Sequence, residues 1–367
     1  MTVDGIHVVT MPKWGLAMHE GVVTGWHVEA GAPVEAGAPL CDVETAKITN
    51  EFESPFGGTL ARILVEPGSV VEVGVPIAVI TSDGASAADV DSALGGYAGL
   101  AGDEVDDSPH SVVVETGLGR IGMIQTGDET ASCAVLFIHG FGGDRLSWQM
   151  VQSAFPAGRR AIAIDLPGHG LSDTNVGDGS VRALATAVLA FVDALGLSRL
   201  CLVGHSLGAA VAAEVAAQHP DVIAGLVLIA PPAFGGRANP DFLTRYMAAR
   251  RKKDMKPVME MLFSRPELLG RESVSGAVSR LRDEAVRDAL QQVADGLVNA
   301  APSELAADLT FLNRWPSRLI WGNDDRIVPL PAGLVEAAGT LLIRFPGIGH
   351  MPQIERPAEV AEIVLAV

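Results

Sequence analysis

A serine at a predicted sharp turn is the residue whose setting points most directly to chemistry. The β-prone run at residues 200–203 leads into Gly-His-Ser-Leu-Gly at residues 204–208, and an Ala-rich helical pattern follows at once. A strand, a turn and a helix in this order place the hydroxyl of Ser206 at the apex. Such a turn needs small residues two positions before and after the serine. The first turn of the helix also leaves backbone N–H groups free to bind an anion. We therefore predict that Ser206 is a nucleophile rather than part of a merely structural turn.

A lysine between two sequence repeats is the second candidate. Residues 21–40 align with residues 58–77 at a constant offset of 37 residues. Both halves have short β-prone runs interrupted by Gly and Pro at matching positions, which predicts two similar sets of strands that pack as a flattened β-sandwich. Lys47 falls where a hairpin must connect the halves, and its repeat mate is Thr10. On these residues alone, Lys47 is a solvated turn lysine.

Composition excludes several classes of protein. With 48% apolar and 19% charged residues, the 367-residue chain can bury a sizeable core in one large and one small domain. We find no run near the ~18 apolar residues of a membrane span and no secretory signal pattern, so we expect no membrane contact and a cytoplasmic location. A net charge of −18 argues against nucleic acid as a partner. Cys41, Cys133 and Cys201 are far apart, as expected of reduced thiols, and no metal-ligand spacing predicts a metal site.

The remaining pattern shows how the chain is organised. Residues 81–110 are mainly Ala, Gly, Ser and Asp without a lysine or arginine, which predicts a flexible acidic linker. From residue 111 onward strand and helix patterns alternate, which predicts a mostly parallel sheet covered on both faces, with a site at the carboxyl ends of its strands. The predicted strands cover residues 134–138, 161–164, 199–203, 225–229, 318–321 and 340–345, and the predicted helices cover residues 144–154, 180–195, 206–219, 332–338 and 358 onward.

The N-terminal segment resembles lipoyl domains. The resemblance rests on Met-Pro-Lys-Trp-Gly-Leu-Ala-Met at residues 11–18, Glu-Thr-Ala-Lys at residues 44–47 and Glu-Ser-Pro-Phe-Gly-Gly at residues 53–58. It implies an all-β carrier domain at residues 1–80, in which a lipoate ligase attaches lipoate to Lys47. Because lipoamide is a group carrier, such a domain transports an acyl group. Alanine replaces the aspartate that commonly precedes this lysine, so biotin on Lys47 and an unmodified lysine remain alternatives.

Residues 111–367 resemble the α/β-hydrolase family. Four motifs flank the serine turn in the family's order: His-Gly-Phe-Gly-Gly at 139–143, Asp-Leu-Pro-Gly-His-Gly-Leu-Ser-Asp at 165–173, Trp-Gly-Asn-Asp-Asp-Arg-Ile-Val-Pro at 321–329 and Gly-Ile-Gly-His-Met-Pro at 347–352. The resemblance implies an α/β-hydrolase fold in which residues 232–300, approximately, form a helical cap over the site.

The same resemblance implies a catalytic triad. Serine needs a base to remove its proton and an acid to orient that base. His350, in the loop after the last predicted strand, would be the base, and Asp325 would be the acid. Asp324 is the alternative acid. The order Ser206, Asp325, His350 is that of the family.

The resemblance also implies an oxyanion hole formed by the backbone N–H groups of Phe141 and Leu207. Polar residues in the same motifs are predicted to organise loops rather than to catalyse. These are His139, Asp165, His169 and His205.

A basic cluster at residues 245–256 lies within the predicted cap and includes Arg250, Arg251, Lys252 and Lys253. A solvated helix face is the simplest interpretation. We also consider that it docks either the acidic carrier domain or the phosphates of coenzyme A.

The combination of domains resembles the family of dihydrolipoamide acetyltransferase components of acetoin dehydrogenase complexes. None of the nine histidines fits the His-x-x-x-Asp-Gly signature of the usual acyltransferase domain. The resemblance implies acetyl transfer from lipoyl-lysine to coenzyme A, in a complex with a thiamine diphosphate-dependent dehydrogenase and dihydrolipoamide dehydrogenase. A serine thioesterase or esterase and a carrier scaffold with a dispensable triad remain alternatives.

Overall fold

The structure is a computed structural model that describes residues 6–12, 20–44, 49–81, 90, 111–156, 158–299 and 309–367. The chain divides into two compact units, Met1–Asp106 and Asp107–Val367. Within the described residues, no helix combines the length and the apolar character needed to cross a membrane.

The first unit is an antiparallel β-sandwich of two four-stranded sheets. Its core takes apolar side chains from both sheets, among them the fully buried Val23, Val43, Leu60 and Ile80. Each aliphatic side chain removed from water in this way contributes about 1.5–3 kcal/mol. The strands are β1 (Ile6–Thr10), β2 (Glu20–Trp26), β3 (Pro33–Val34), β4 (Pro39–Glu44), β5 (Thr49–Glu53), β6 (Gly58–Ile63), β7 (Ser69–Glu72) and β8 (Pro76–Thr81).

The order of the strands follows the sequence repeat. One sheet has the order β1-β8-β6-β3 and the other β5-β4-β2-β7. The repeat relates β2 to β6, β3 to β7 and β4 to β8. Exchanging the members of each pair turns the strand order of one sheet into that of the other, with β1 and β5 at equivalent edges. Gly31 and Gly68, which are repeat mates, have φ values of 93° and 92°, a conformation that glycine adopts without strain. The predicted sandwich is therefore confirmed.

The segment that contains Lys47 connects two described strands. Strands β4 and β5 pair antiparallel, with Glu44 opposite Thr49. Lys47 belongs to the segment between these strands and lies outside the described residues.

The second unit is built on an eight-stranded sheet. Successive side chains of a strand point to opposite faces, so Leu136 and Leu202 belong to one core, while Phe137 and Val203 belong to another on the opposite face. The strands are β9 (Ser111–Thr116), β10 (Gly119–Thr126), β11 (Ala134–Ile138), β12 (Arg160–Ile164), β13 (Leu200–His205), β14 (Ile223–Ile229), β15 (Ser317–Gly322) and β16 (Leu342–Phe345).

The topology of this sheet defines where a site should lie. The strand order is β16-β15-β14-β13-β11-β12-β10-β9. Strands β9 and β10 are antiparallel to their neighbours and the pairs from β12 to β16 are parallel. The chain passes from β11 to its neighbour β12 and then returns to β13 on the other side. Ligand sites of such sheets lie at this reversal, at the carboxyl ends of the strands.

Helices cover both faces of the sheet, as predicted. The predicted helix at residues 144–154 is instead a 3-10 turn, Arg145–Trp148, followed by a short α-helix. The α-helices are α1 (Gln149–Gln152), α2 (Val181–Ala194), α3 (Leu207–Gln218), α4 (Pro240–Ala248), α5 (Lys252–Met259), α6 (Arg271–Arg280), α7 (Glu284–Asn299), α8 (Ala332–Ala338), α9 (Pro352–Glu355) and α10 (Pro357–Leu365). Further 3-10 turns are Pro220–Val222, Glu260–Leu262, Pro266–Leu268, Leu309–Arg314 and Gly339–Leu341.

Helices α4 to α7 interrupt the alternation between β14 and β15. We refer to these four helices and their connections as the helical insertion. They occupy the segment for which the sequence predicts a cap.

The three cysteines are free, as expected from their spacing. Cys41 is buried in the first unit and Cys201 in the second, whereas Cys133 is partly exposed.

Candidate active site

Ser206 connects β13 to α3 in a strained backbone conformation. Its φ of 52° and ψ of −117° are rarely adopted by a residue with a side chain. The strand and the helix hold it there, because its N–H donates to the carbonyl of Ile229 at 2.8 Å and its own carbonyl accepts the N–H of Ala209 at 2.9 Å. Strain that surrounding structure maintains is typical of functional positions.

The two glycines of the turn are required by close packing. A Cβ atom on Gly204 would lie 2.5 Å from the Cα of Ala209 at the start of the helix. A Cβ atom on Gly208 would lie 2.5 Å from the carbonyl oxygen of His139 in the neighbouring loop. The turn can therefore form only with glycine at both positions, as the motif predicts.

His350 and Asp325 form a buried pair. Nδ1 of His350 lies 2.8 Å from Oδ2 of Asp325, and the two residues are only 2% and 6% exposed. The other carboxylate oxygen accepts the N–H groups of Ile327 and Val328 at 2.8 and 2.9 Å, so the carboxylate is fixed towards the imidazole. Donation from Nδ1 leaves Nε2 free to act as a base. Of the two candidate acids, Asp325 makes this contact, and Asp324 is exposed.

His205 connects the serine turn to the loop of His350. Its Nε2 donates to the carbonyl oxygen of His350 at 2.7 Å, and the two ring centroids are 4.6 Å apart. Burial lowers the pKa of His205 well below its ordinary value, so it is a neutral positioning residue. Among the described hydrogen bonds, none joins Oγ of Ser206 to Nε2 of His350. Such bonds often tighten only when substrate binds.

Two backbone donors lie beside Ser206. The N–H groups of Phe141 and Leu207 donate to no acceptor among the described residues. The loop after β11 is close to the serine, since a Cβ atom on Gly140 would lie 3.2 Å from the Cβ of Ser206. Free N–H groups at this place are suited to an oxyanion.

Buried histidines hold this loop. Nε2 of His139 accepts the N–H of Leu166 at 3.0 Å, and Nε2 of His169 accepts the N–H of Gly142 at 3.1 Å. In both rings Nδ1 donates to a backbone carbonyl, at 2.7 and 3.0 Å. Burial lowers the pKa of His139 to about 4 and that of His169 to about 3, so both stay neutral. Their predicted role in organising the loop is confirmed.

Asp165 anchors the start of the 3-10 turn. It accepts the backbone N–H and the guanidinium of Arg145, both at 2.7 Å, and the N–H of Leu171 at 2.8 Å. Burial raises the pKa of Asp165, and Arg145 opposes that rise. Asp165 was predicted as an organising residue, but nothing in the sequence distinguishes Arg145 as its partner.

The helical insertion contributes two residues that the sequence analysis did not identify. The hydroxyl of Tyr246 donates to the carbonyl of Gly142 at 3.4 Å, and Nη2 of Arg280 donates to the same carbonyl at 3.1 Å. Burial raises the pKa of Tyr246, so its hydroxyl remains a donor. The ring of Tyr246 also lies edge-on to Phe141, with centroids 5.4 Å apart. The sequence offered one signal for Tyr246, which is that the chain has only two tyrosines.

One group of ligand-type side chains belongs to the first unit. In the described part of the first unit, His27, Asp42 and Glu51 bring their donor atoms within 4.8 Å of one another. The sequence spacing did not reveal them because strand pairing brings them together. The carboxylate of Asp42 bonds Nε2 of His27 at 3.0 Å on the exposed surface, which accounts for the contact.

Comparison with known proteins identifies the family. Residues 134–357 match the family described as alpha/beta hydrolase fold, and residues 7–80 match the one described as biotin-requiring enzyme. The dihydrolipoyllysine-residue acetyltransferase component of the acetoin cleaving system of Pseudomonas putida is 34% identical over 366 residues, 98% of each chain. The chain belongs to this acetyltransferase component family.

A second member of the acetyltransferase component family, from Cupriavidus necator, is 31% identical over 349 residues, 95% of this chain and 93% of the relative. Among solved structures, the 2-hydroxy-6-oxo-6-phenylhexa-2,4-dienoate hydrolase of Rhodococcus sp. strain RHA1 has a TM-score of 0.61 at 21% identity. The match covers 71% of this chain and 98% of that one. This likeness shows the fold alone.

Proposed function

We propose that this chain transfers an acetyl group from lipoyl-lysine to coenzyme A, as the acyltransferase component of an acetoin-cleaving dehydrogenase complex. The observation that carries the proposal is the buried pair of His350 and Asp325, 2.8 Å apart, whose loop is bonded to the strained turn of Ser206. Membership of the acetyltransferase component family supports acetyl transfer as the reaction, with the dihydrolipoyl group as the donor thiol and coenzyme A as the acceptor thiol.

In the first half-reaction, Oγ of Ser206 attacks the carbonyl carbon of the thioester donor while Nε2 of His350 takes its proton. The N–H groups of Phe141 and Leu207 bind the negative charge that develops on the carbonyl oxygen. The carbon–sulfur bond then breaks, and His350 gives the proton to the departing sulfur. The acetyl group remains as an ester of Ser206.

In the second half-reaction, His350 removes the proton of the coenzyme A thiol, and the sulfur attacks the acetyl ester. The bond to Oγ breaks, Ser206 recovers the proton, and acetyl-coenzyme A leaves. Asp325 stabilises the imidazolium that forms in both halves and keeps the ring in the required tautomer. Lipoate in amide linkage to Lys47 supplies the thiol that delivers the acetyl group, at the high effective concentration that a shared chain provides.

The proposed organisation follows the sequence. Residues 1–80 form the carrier domain, with Lys47 as the attachment site, and residues 81–110, most of which lie outside the described residues, connect it to the next domain. Residues 111–367 form the catalytic domain, in which residues 232–300, approximately, act as the cap. The contacts of Tyr246 and Arg280 with the loop beside Ser206 support this role of the insertion.

The relatives are components of acetoin-cleaving systems, which implies further components. We propose that these are a thiamine diphosphate-dependent dehydrogenase, which loads the arm, and dihydrolipoamide dehydrogenase, which reoxidises it. A lipoate ligase would modify Lys47. The free cysteines support a cytoplasmic location.

A product assay tests the proposal. Lipoylated protein is given acetyl-dihydrolipoamide and coenzyme A, beside Ser206→Ala and the exposed control Ser198→Ala. We expect acetyl-coenzyme A from the native chain and the control, and a rate at least about a thousandfold lower from Ser206→Ala. Free acetate that depends on Ser206 but not on coenzyme A would instead identify a thioesterase. Neither product, with an arm that partner enzymes still reduce, would leave only a carrier scaffold.

A further inference from the structure

A groove between α4 and α7 of the helical insertion is large enough for part of a small molecule. Its volume is about 310 Å³, at the lower end of the range for ligand sites. Apolar side chains, including Leu243, Met247 and Ala294, form part of its lining. Arg250 and Asp295 add one group of each charge to the same lining.

The basic cluster next to this groove is only partly neutralised. The guanidinium of Arg251 is paired with Asp254 at 2.8 Å. Lys252 and Lys253 are exposed, and neither forms an ion pair with a described residue. The positive charge that remains available is therefore at the start of α5.

Arg250 and the N-terminus of α5 add to this charge. Nη1 of Arg250 donates to the carbonyls of Met247 and Ala249 at 2.6 and 3.2 Å, which fixes the guanidinium at the groove. Its other N–H donors have no acceptor among the described residues. Helix α5 begins at Lys252 without a side-chain N-cap, so its free N–H groups and its dipole also favour an anion.

We propose that this groove, with Arg250, Lys252 and Lys253, binds the nucleotide end of coenzyme A. The inference rests on the proposed function, in which coenzyme A accepts the acetyl group. The apolar part of the lining suits the adenine ring, and the carboxylate of Asp295, held by the Gln291 amide at 2.9 Å, suits its exocyclic amine. The phosphates then meet the three cations. In a chain with a net charge of −18, an anionic acceptor requires such a local positive surface.

The position of the groove agrees with the position of the thiol acceptor. Met247 lines the groove, and its neighbour on α4, Tyr246, bonds the carbonyl of Gly142 in the loop beside Ser206. The groove and that loop are thus on two sides of one helix, whose diameter with side chains is about 10–12 Å. An extended pantetheine arm is longer than this diameter, and the proposal requires it to pass around α4 to bring the thiol to Ser206.

The double variant Lys252→Gln/Lys253→Gln tests the site in the full chain. Both side chains are exposed, so the fold is retained. Exposed charge pairs are each worth a few-fold in affinity, and we expect the KM for coenzyme A to rise about tenfold. With N-acetylcysteamine, a thiol acceptor without phosphates, both kcat and KM should stay unchanged. The difference between the two proteins should shrink as salt concentration rises.

Two further variants separate the site from general effects. Arg159→Gln/Arg344→Gln removes the same charge from exposed positions elsewhere in the second unit, and its KM for coenzyme A should match the native value. Ala248→Trp fills the groove without changing the charge and should also raise the KM for coenzyme A but not for N-acetylcysteamine. Equal effects in the control, or on both acceptors, would overturn the proposal. The proposal would also be overturned if Lys252→Gln/Lys253→Gln raised only the KM for an acetyl donor carried on a polypeptide. That result would indicate that the basic cluster docks an acidic protein.

Direct binding distinguishes this site from the reaction. Calorimetry with coenzyme A and the Ser206→Ala variant measures binding without turnover. Binding weakened about tenfold on adding Lys252→Gln/Lys253→Gln supports the site even if the native chain forms no acetyl-coenzyme A. Acetyl-coenzyme A formation with unchanged binding in that variant would remove the site and leave the proposed function intact.

Discussion

Neutral histidines are essential to the loop beside Ser206. Both ring nitrogens of His169 are used, because Nε2 accepts the N–H of Gly142 while Nδ1 donates to a carbonyl. A proton on Nε2 would replace this acceptor with a donor that faces an N–H group. His139 has the same arrangement. The neutral form of both rings is therefore part of the structure.

This arrangement predicts a loss of stability in mild acid. The pKa values of His139 and His169 are lowered by burial from 6.5 to about 4 and about 3. As the pH falls below about 6.5, the unfolded chain binds protons at these rings and the folded chain does not. Each ring should therefore lower the free energy of unfolding by about 1.4 kcal/mol per pH unit, down to the folded pKa. Denaturant unfolding between about pH 7 and pH 4.5 measures this slope of unfolding free energy against pH.

The variant His169→Gln isolates one of these contributions. Glutamine can accept the N–H of Gly142 through its carbonyl oxygen and does not titrate. The slope of stability against pH should fall by the contribution of one ring, and stability at neutral pH should fall modestly. An unchanged slope would show that His169 is not neutral in the folded chain.

At this scale the sequence predicts residues whose role follows from local pattern. Ser206 is predictable because strand, glycine spacing and helix are contiguous. The resemblance favours Asp325 over Asp324 as the acid, but burial and contact with a loop 25 residues further along the chain are what distinguish the two carboxylates. Arg145 was not predicted because its partner Asp165 is selected only by the folded sheet.

The helical insertion contacts the candidate oxyanion loop mainly at Gly142. The carbonyl of Gly142 accepts from Tyr246 and Arg280, and its N–H donates to His169. Arg280 also pairs with Asp144 at 3.3 Å. The orientation of the preceding residue, Phe141, therefore depends on helices far away in sequence.

We expect Arg280→Gln to lower kcat about tenfold with little change in KM for the donor. The guanidinium bond to Gly142 is charge-assisted, and its loss leaves the N–H of Phe141 less well oriented towards the oxyanion. Because the side chain of Arg280 is 30% exposed, the fold should be retained. Steady-state kinetics with acetyl-dihydrolipoamide checks this. Arg287→Gln, which removes a guanidinium paired within α7, should behave as the native chain, and an equal effect in both variants would contradict the interpretation.

The strands that the sequence predicted are those with continuous apolar runs. Strands β11, β13 and β14 are buried on both faces of the sheet, and their hydrophobic runs mark them clearly. The edge hairpin of β9 and β10 was not predicted, since β9 leaves Val112 and Val113 46% and 39% exposed and lacks a consistent buried face. The helix predicted at residues 144–154 begins instead with a 3-10 turn, whose first residue, Arg145, is held by the buried Asp165.

At the scale of the whole molecule, two units with separate cores share one chain. Units of this kind fold on their own cores, and a change on the surface of one leaves the other intact. The carrier role and the catalytic role should therefore be separable by single substitutions.

Lys47→Arg tests this separation. The variant should carry no lipoate by intact mass and should accept no acetyl group from the dehydrogenase component. Its Ser206-dependent transfer from free acetyl-dihydrolipoamide should stay within about twofold of the native rate. Lys13→Arg, which changes the other lysine of the first 80 residues, should preserve both activities. Lipoate on the Lys47→Arg chain would assign the attachment to another residue.

The burial of two cysteines has a consequence for a protein that would handle a dithiol. Burial raises the pKa values of Cys41 and Cys201 to about 12. Thiol–disulfide exchange proceeds through the thiolate, which is almost absent from these two residues at neutral pH. They are therefore poor partners for mixed disulfides with an oxidised arm, so the disulfide of the arm stays intact until the dehydrogenase component loads it.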